Sequence, residues 1–220
     1  MQELARKRPG LREPVNGLTH LIAAGAAAVG LVALLALAWG DPVRVLSLLV
    51  YGASLVLLFA ASGIYHSVNA GPLVTARLRK FDHAAIYILI AGTYTPLCLH
   101  FFTGFWQWGM VAVIWTLALT GVVVKLFVIR APRWLNAAVY LVMGWLGILG
   151  AGEIWRQMPP GAIAWLALGG ALFTAGAVIY VLKRPDPWPG VFGFHEIWHV
   201  FIILAALAHF VLMARYVAAG

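Results

Sequence analysis

Long apolar runs alternate with short polar or basic joints along the whole chain. Seven runs stand out, at about 17–39, 43–66, 82–102, 106–129, 134–153, 162–182 and 195–217. Each is close to the roughly 20 residues that an α-helix needs to cross a bilayer core. The pattern predicts an all-α integral membrane protein, a seven-transmembrane helix bundle. The first run follows basic residues and contains Ala36-Leu-Ala38, which resembles a cleavage site. Its apolar length exceeds the roughly 7–15 residues of a signal peptide's apolar stretch, so it counts as a retained span. Pro96, inside the third run, is expected to kink its helix. The Pro-rich 183–189 segment is expected to be a stiff turn. Small residues at Ala26 and Gly30, Gly147 and Ala151, and Gly170 and Thr174 allow close helix approach.

Composition agrees with the pattern. The chain is 63% hydrophobic and 10% charged, whereas soluble domains average about 45–50% and about 25%. The formal net charge of +8 would suggest nucleic acid if the basic residues shared one face, but they cluster in alternate joints. Arg6, Lys7, Arg8, Arg12, Arg77, Arg79, Lys80, Lys125, Arg130, Arg133, Lys183 and Arg184 fall on one side of the predicted bundle; Arg44, Arg156 and Arg215 fall on the other. The positive-inside rule then places the N-terminus in the cytoplasm and the C-terminus outside, with no nucleic-acid partner. Residues 1–15 are expected to be a loose cytoplasmic tail, and 16–220 the seven-helix domain of a multi-pass protein of the inner (plasma) membrane. Trp39, Trp106, Trp108, Trp134, Trp155 and Trp188 fall at span ends, as interfacial aromatics do. The single cysteine, Cys98, excludes an intrachain disulfide.

With the topology set, candidate chemistry can be assigned by depth. His195 and His199 are four residues apart, so on a helix they share a face one turn apart and can reach one ion. His66 ends the second run on the same side, with Ser62 one turn deeper. Asp82 and His83 open the third run at that level, and Glu13, Asn16, Thr19 and His20 open the first. His100 and His209 lie towards the other side. Ionisable residues within spans usually face an interior or a water-filled cavity and are there for function. Three neutral imidazoles plus a water form a catalytic type of zinc shell with an open position, and the absence of a ligating carboxylate favours zinc over iron. Asp82 would orient or deprotonate that water. His195-Glu196-x-x-His199 also matches the zinc-protease motif, in which the acid is the base, so Asp82 and Glu196 compete for that role.

Ser62-x-x-x-His66, Phe81-Asp82-x-x-x-x-Tyr87, Gly92-Thr-Tyr-Thr-Pro96 and His195-x-x-x-His199 together resemble the hemolysin III family, whose wider group includes the progestin and adiponectin receptors. The start Glu13-x-x-Asn16-x-x-Thr19-His20 is similar to the bacterial branch. The resemblance runs from Glu13 through nearly the whole chain. It implies seven helices with the N-terminus inside, zinc held by His66, His195 and His199, Asp82 beside the metal's water, and Ser62 nearby. Glu196 departs from the receptor branch. The expected activity is hydrolysis of an amide or ester of a membrane lipid, linked to membrane homeostasis, with lipid as substrate or ligand. Three other readings stay open: a receptor or membrane-state sensor with a structural zinc, an intramembrane protease, and a pore-forming hemolysin.

Overall fold

The computed structural model describes residues 11–127 and 131–219. Among the described residues, seven helices are long and apolar enough to cross a membrane: α1 Pro14–Leu37, α2 Pro42–Ser67, α3 Pro72–Phe101, α4 Gly104–Phe127, α5 Arg133–Gln157, α6 Pro160–Leu182 and α7 Phe194–Ala218. Four of them begin with proline in the first turn, where the missing N–H costs no hydrogen bond and the fixed φ suits a helix. At the head of α2, Asp41 accepts a bond from the Arg44 N–H at 3.0 Å, satisfying one of the free donors there. The expected end of the fourth run at 129, and the basic residues Arg6, Lys7, Arg8 and Arg130, lie outside the described residues.

Two elements differ from the sequence pattern. The third helix begins at Pro72 rather than near 82. Residues 73–80 are rich in Leu, Ala, Arg and Lys, which are good helix formers. They are too polar to register as an apolar run, so the helix extends beyond the hydrophobic stretch. Asp82 and His83 therefore ride on a rigid rod about three turns from its start, not at a loop edge. The fifth helix continues to Gln157 but tightens to a 3-10 stretch at Leu146–Gly150. Gly144, Gly147 and Gly150 weaken the α-helix there. Tyr94 of α3 takes up the freed groups: its hydroxyl donates to the Gly144 carbonyl at 2.8 Å and accepts from the Gly147 N–H at 2.7 Å. α3 itself continues across Pro96.

α2 packs between α1 and α3, while α6 packs along α7, which also reaches α1. Glycines set the closest approaches. A Cβ on Gly92 of α3 would overlap Ser54 Oγ and meet the Val50 carbonyl at 3.3 Å; one on Gly30 of α1 would meet the Phe210 ring at 2.7 Å. α2 and α3 are the most buried spans, contributing Leu48, Leu55, Leu58, Phe59, Leu89 and Leu97 to the core. Outward positions stay apolar: Ile22, Val29 and Val32 are 64%, 73% and 68% exposed. In water such a face would be a liability; against lipid tails it is the natural surface of a span. α5 touches mainly α6 and α3, which leaves space between it and the tight α1–α2–α3 side.

Gly92→Val should lower the midpoint of thermal unfolding in detergent, because an overpacked helix contact costs about 1–3 kcal/mol and Ser54, bonded to the Tyr51 carbonyl, has little room to retreat. Gly25→Ala, where an added Cβ meets nothing within 4 Å, should leave that midpoint unchanged or slightly raised.

Candidate metal centre

His66 sits in the last turn of α2, and His195 and His199 in the first two turns of α7. A helix start and a helix end thus deliver three imidazoles to one spot. Their ring centroids are 4.7 Å apart for His66 and His199, 4.9 Å for His195 and His199, and 5.1 Å for His66 and His195, and every pair is edge-on. One ring nitrogen from each lies within 4.8 Å of the other two. A tetrahedral divalent ion with metal–nitrogen bonds of about 2.0–2.1 Å needs its ligand nitrogens about 3.4 Å apart, so small side-chain rotations complete the shell. Burial adds to the fit. His66 and His199 are 2% and 3% exposed, and His199 Nδ1 is buried with no hydrogen-bond partner, a costly state in an apolar setting. Three histidines close enough to hold one metal ion are therefore a property of this fold.

The surroundings sort the other predicted residues. Asp82 and Ser62 line the same cavity as the three histidines. Glu196 is turned to the helix start: Oε2 accepts from the Gly193 N–H at 2.8 Å in a capping box, and Oε1 accepts from Asn16 Nδ2 at 2.7 Å. A Cβ on Gly193 would overlap Asp186 Oδ1, the end of an exposed side chain that would have to turn aside. His20 stacks on His199 with centroids 3.9 Å apart and meets Phe59 edge-on. His209 is far along α7, with Nε2 3.3 Å from the Leu166 carbonyl oxygen, and neither it nor His100 belongs to the histidine group.

The sequence pattern gave Glu13 no role. The structure sets its carboxylate Oε2 2.5 Å from His66 Nδ1. Its own N–H donates to the His66 carbonyl at 2.9 Å, and the Arg12 N–H donates to the Ser67 carbonyl at 3.2 Å. Arg12 also lies over the Tyr65 ring at 4.2 Å. The chain before α1 is therefore fixed to the end of α2 at residues 12 and 13, where a loose tail was expected; the last carbonyls of α2 need donors, and these residues supply them. Burial alone would raise the pKa of Glu13. The hydrogen bond to His66, together with the charges of His66, Arg12 and His195, outweighs that and lowers it to about 2.

From the histidines a cavity of about 410 Å³ runs into the bundle. It passes Leu58, Thr93, Tyr94 and Leu97 and reaches Trp106, Met110 and Met158 towards the opposite end. Its walls are overwhelmingly apolar; Ser62, His66, Asp82, His195 and His199 line the histidine end, and Thr93, Tyr94 and His209 lie further along.

Residues 10–210 match the family described as Haemolysin-III related. The chain is 33% identical over 206 residues to the hemolysin-3 homolog of Bacillus subtilis (strain 168), covering 93% of each chain. It is 33% identical over 219 residues to hemolysin-3 of Bacillus cereus, covering 98% of this chain and 97% of that one. This chain belongs to the hemolysin III family. A match to the adiponectin receptor protein of Drosophila melanogaster, 33% identical over 161 residues, covers 66% of this chain and 35% of that one. Seven apolar helices and this membership make it a multi-pass membrane protein, and the bacterial relatives imply the plasma membrane.

Replacing His66, His195 or His199 singly with alanine should weaken metal binding by more than the about 10–100-fold that loss of a residue supporting a ligand costs, read as metal content by elemental analysis after dialysis. His100→Ala should leave the content unchanged.

Proposed function

We propose that this member of the hemolysin III family is a zinc-dependent hydrolase that cleaves an amide or ester bond of a membrane lipid. The observation that carries the reading is the continuity of the three-histidine cluster with an apolar cavity that also contains Asp82 and Ser62. A cavity of this size and character suits an acyl chain, and its polar end is where the scissile carbonyl would come to rest. Three neutral imidazole nitrogens as donors, without a ligating carboxylate, favour zinc. Bound zinc would supply Lewis acidity towards a carbonyl and make water acidic enough to lose a proton near neutral pH.

The protein's own groups would do the rest. His66, His195 and His199 hold the ion. Asp82 takes a proton from the attacking water and returns it to the leaving amine or alcohol, as a general base and then a general acid. Ser62, which lines the cavity together with Asp82, would orient that carboxylate. The apolar walls exclude bulk water along the chain of the substrate. Both Glu196 oxygens already serve the start of α7, which favours Asp82 over Glu196 as the base and weakens the protease-like arrangement.

We also propose that the histidine end faces the cytoplasm. The joints at that end carry Arg12, Arg77, Arg79, Lys80, Arg133, Lys183 and Arg184, as the positive-inside rule expects of a cytoplasmic face.

A second reading is favoured by the adiponectin receptor relative: a sensor in which the ion clamps α2 to α7 without turnover. Chelation then would unfold the bundle while abolishing no reaction.

Purified zinc-loaded protein should release fatty acid from an acylated lipid in mixed micelles. His195→Ala and Asp82→Asn should each lose activity by about 10²-fold or more, with Glu196→Gln retaining most of it. Equal lipid turnover by the wild type and His195→Ala would sink the enzyme reading. Loss confined to Glu196→Gln would transfer the base role to that acid.

A further inference from the structure

We propose that Glu13 is the positioning residue for the metal ligand His66: its carboxylate accepts the Nδ1–H of the ring and leaves Nε2 as the nitrogen offered to the ion. This rests on the reading of the three histidines as a metal site.

The case is geometric. An imidazole has two nitrogens, and a ligand must present one of them unprotonated; the hydrogen bond at the other nitrogen decides which. His66 Nδ1 is taken by Glu13 Oε2 at 2.5 Å. His66 is buried, 2% exposed, so water cannot easily substitute for that acceptor. The ring meets His195 and His199 edge-on, at 5.1 and 4.7 Å between centroids. Holding Nδ1 towards α1 therefore fixes which edge of the ring faces its two partners.

Glu13 is itself held, which a positioning group requires. Its main-chain N–H donates to the carbonyl of His66, the very residue that its side chain grips. That two-point attachment sets the carboxylate relative to the ring. Arg12 Nε lies 3.2 Å from the other oxygen, Oε1. Asn16 spans the two carboxylates of this end, with Nδ2 2.7 Å from Glu196 Oε1 and 3.5 Å from Glu13 Oε2. The start of α1 thus supports the ligand of α2 directly and touches the first turn of α7, which carries the other two ligands.

The test is metal affinity in the full-length protein, by competition of zinc and cobalt against a chelating dye. Glu13→Ala should weaken binding about 10–100-fold, the usual loss when the carboxylate behind a histidine ligand is removed. Glu13→Gln, which keeps an acceptor but no charge, should lose less. A merely structural role is separated by a double-mutant cycle: in a His66→Ala background, Glu13→Ala should cost no further affinity, because there is no ring left to hold. An additive loss would overturn the proposal. Nitrogen-15 spectra of histidine-labelled metal-free protein give a second readout, independent of how well Glu13→Ala folds. In the wild type the His66 signal should report a proton on Nδ1 and none on Nε2; the reverse would overturn the proposal. If the wild type binds neither ion, the metal site itself is refuted. If it binds and Glu13→Ala binds equally well, the site stands and Glu13 is only a helix-end contact.

Discussion

Imidazoles are poor company for hydrocarbon unless something satisfies their nitrogens, and the bundle is arranged around that constraint. His66, His195 and His199 come from helices far apart in sequence, yet their rings meet within about a ring's width of one another. Each ring has two nitrogens to satisfy. Glu13 satisfies one on His66, while His199 Nδ1 has no partner. Packing such groups together without a shared partner would cost several kcal/mol relative to apolar side chains of the same shape. A divalent ion bound by all three reverses that balance, because it draws on the same lone pairs that make the cluster expensive.

How the helices pack determines what can reach the cluster. On one side, glycines bring α1, α2 and α3 into near-backbone contact, at Gly17 against Ser67, Gly52 against Leu31 and Gly92 against Ser54. That side is rigid and carries His66 and Asp82. On the other side α5 is broken by its 3-10 stretch and held to α3 through the Tyr94 hydroxyl. Space opens between these two halves, and the cavity fills it from Tyr140 and Asn136 at one end to Trp155 at the other. A uniformly tight bundle would bury the histidines with no cavity beside them. A uniformly loose one would not hold three imidazole nitrogens within 4.8 Å. Division of labour between a stiff half and an open half meets both needs.

Much of this was legible in residue order. Seven apolar runs gave seven spans, since hydropathy and length are direct readouts of the bilayer's dimensions. The His195 and His199 pair follows from helical spacing, and His66 follows from depth once the spans alternate. Other features depend on contacts that no periodicity encodes. The polar first three turns of α3 escape because helix formation does not require apolarity. Glu13 escapes because its partner is 53 positions away and its helix begins one residue later. The break in α5 was partly visible as Gly144, Gly147 and Gly150, but only Tyr94 shows how the freed backbone groups are satisfied.

Glu196 shows why a motif must be placed on its helix before it is given chemistry. In His195-Glu196-x-x-His199 the acid adjoins a ligand, and several turns into a helix it would have no free backbone donor to bind. Here the motif opens the helix: Gly193 is the N-cap and Glu196 is the third residue of α7. At that position the unpaired N–H groups and the positive end of the helix dipole compete for a carboxylate. They win, together with the Asn16 amide. Asp82 faces no such competition, since it lies about three turns into α3, where every backbone N–H is already committed to the helix. The acid left free of backbone donors is therefore the one further into its helix, lining the cavity, and the acid beside the histidines is the one that caps the helix carrying two of them.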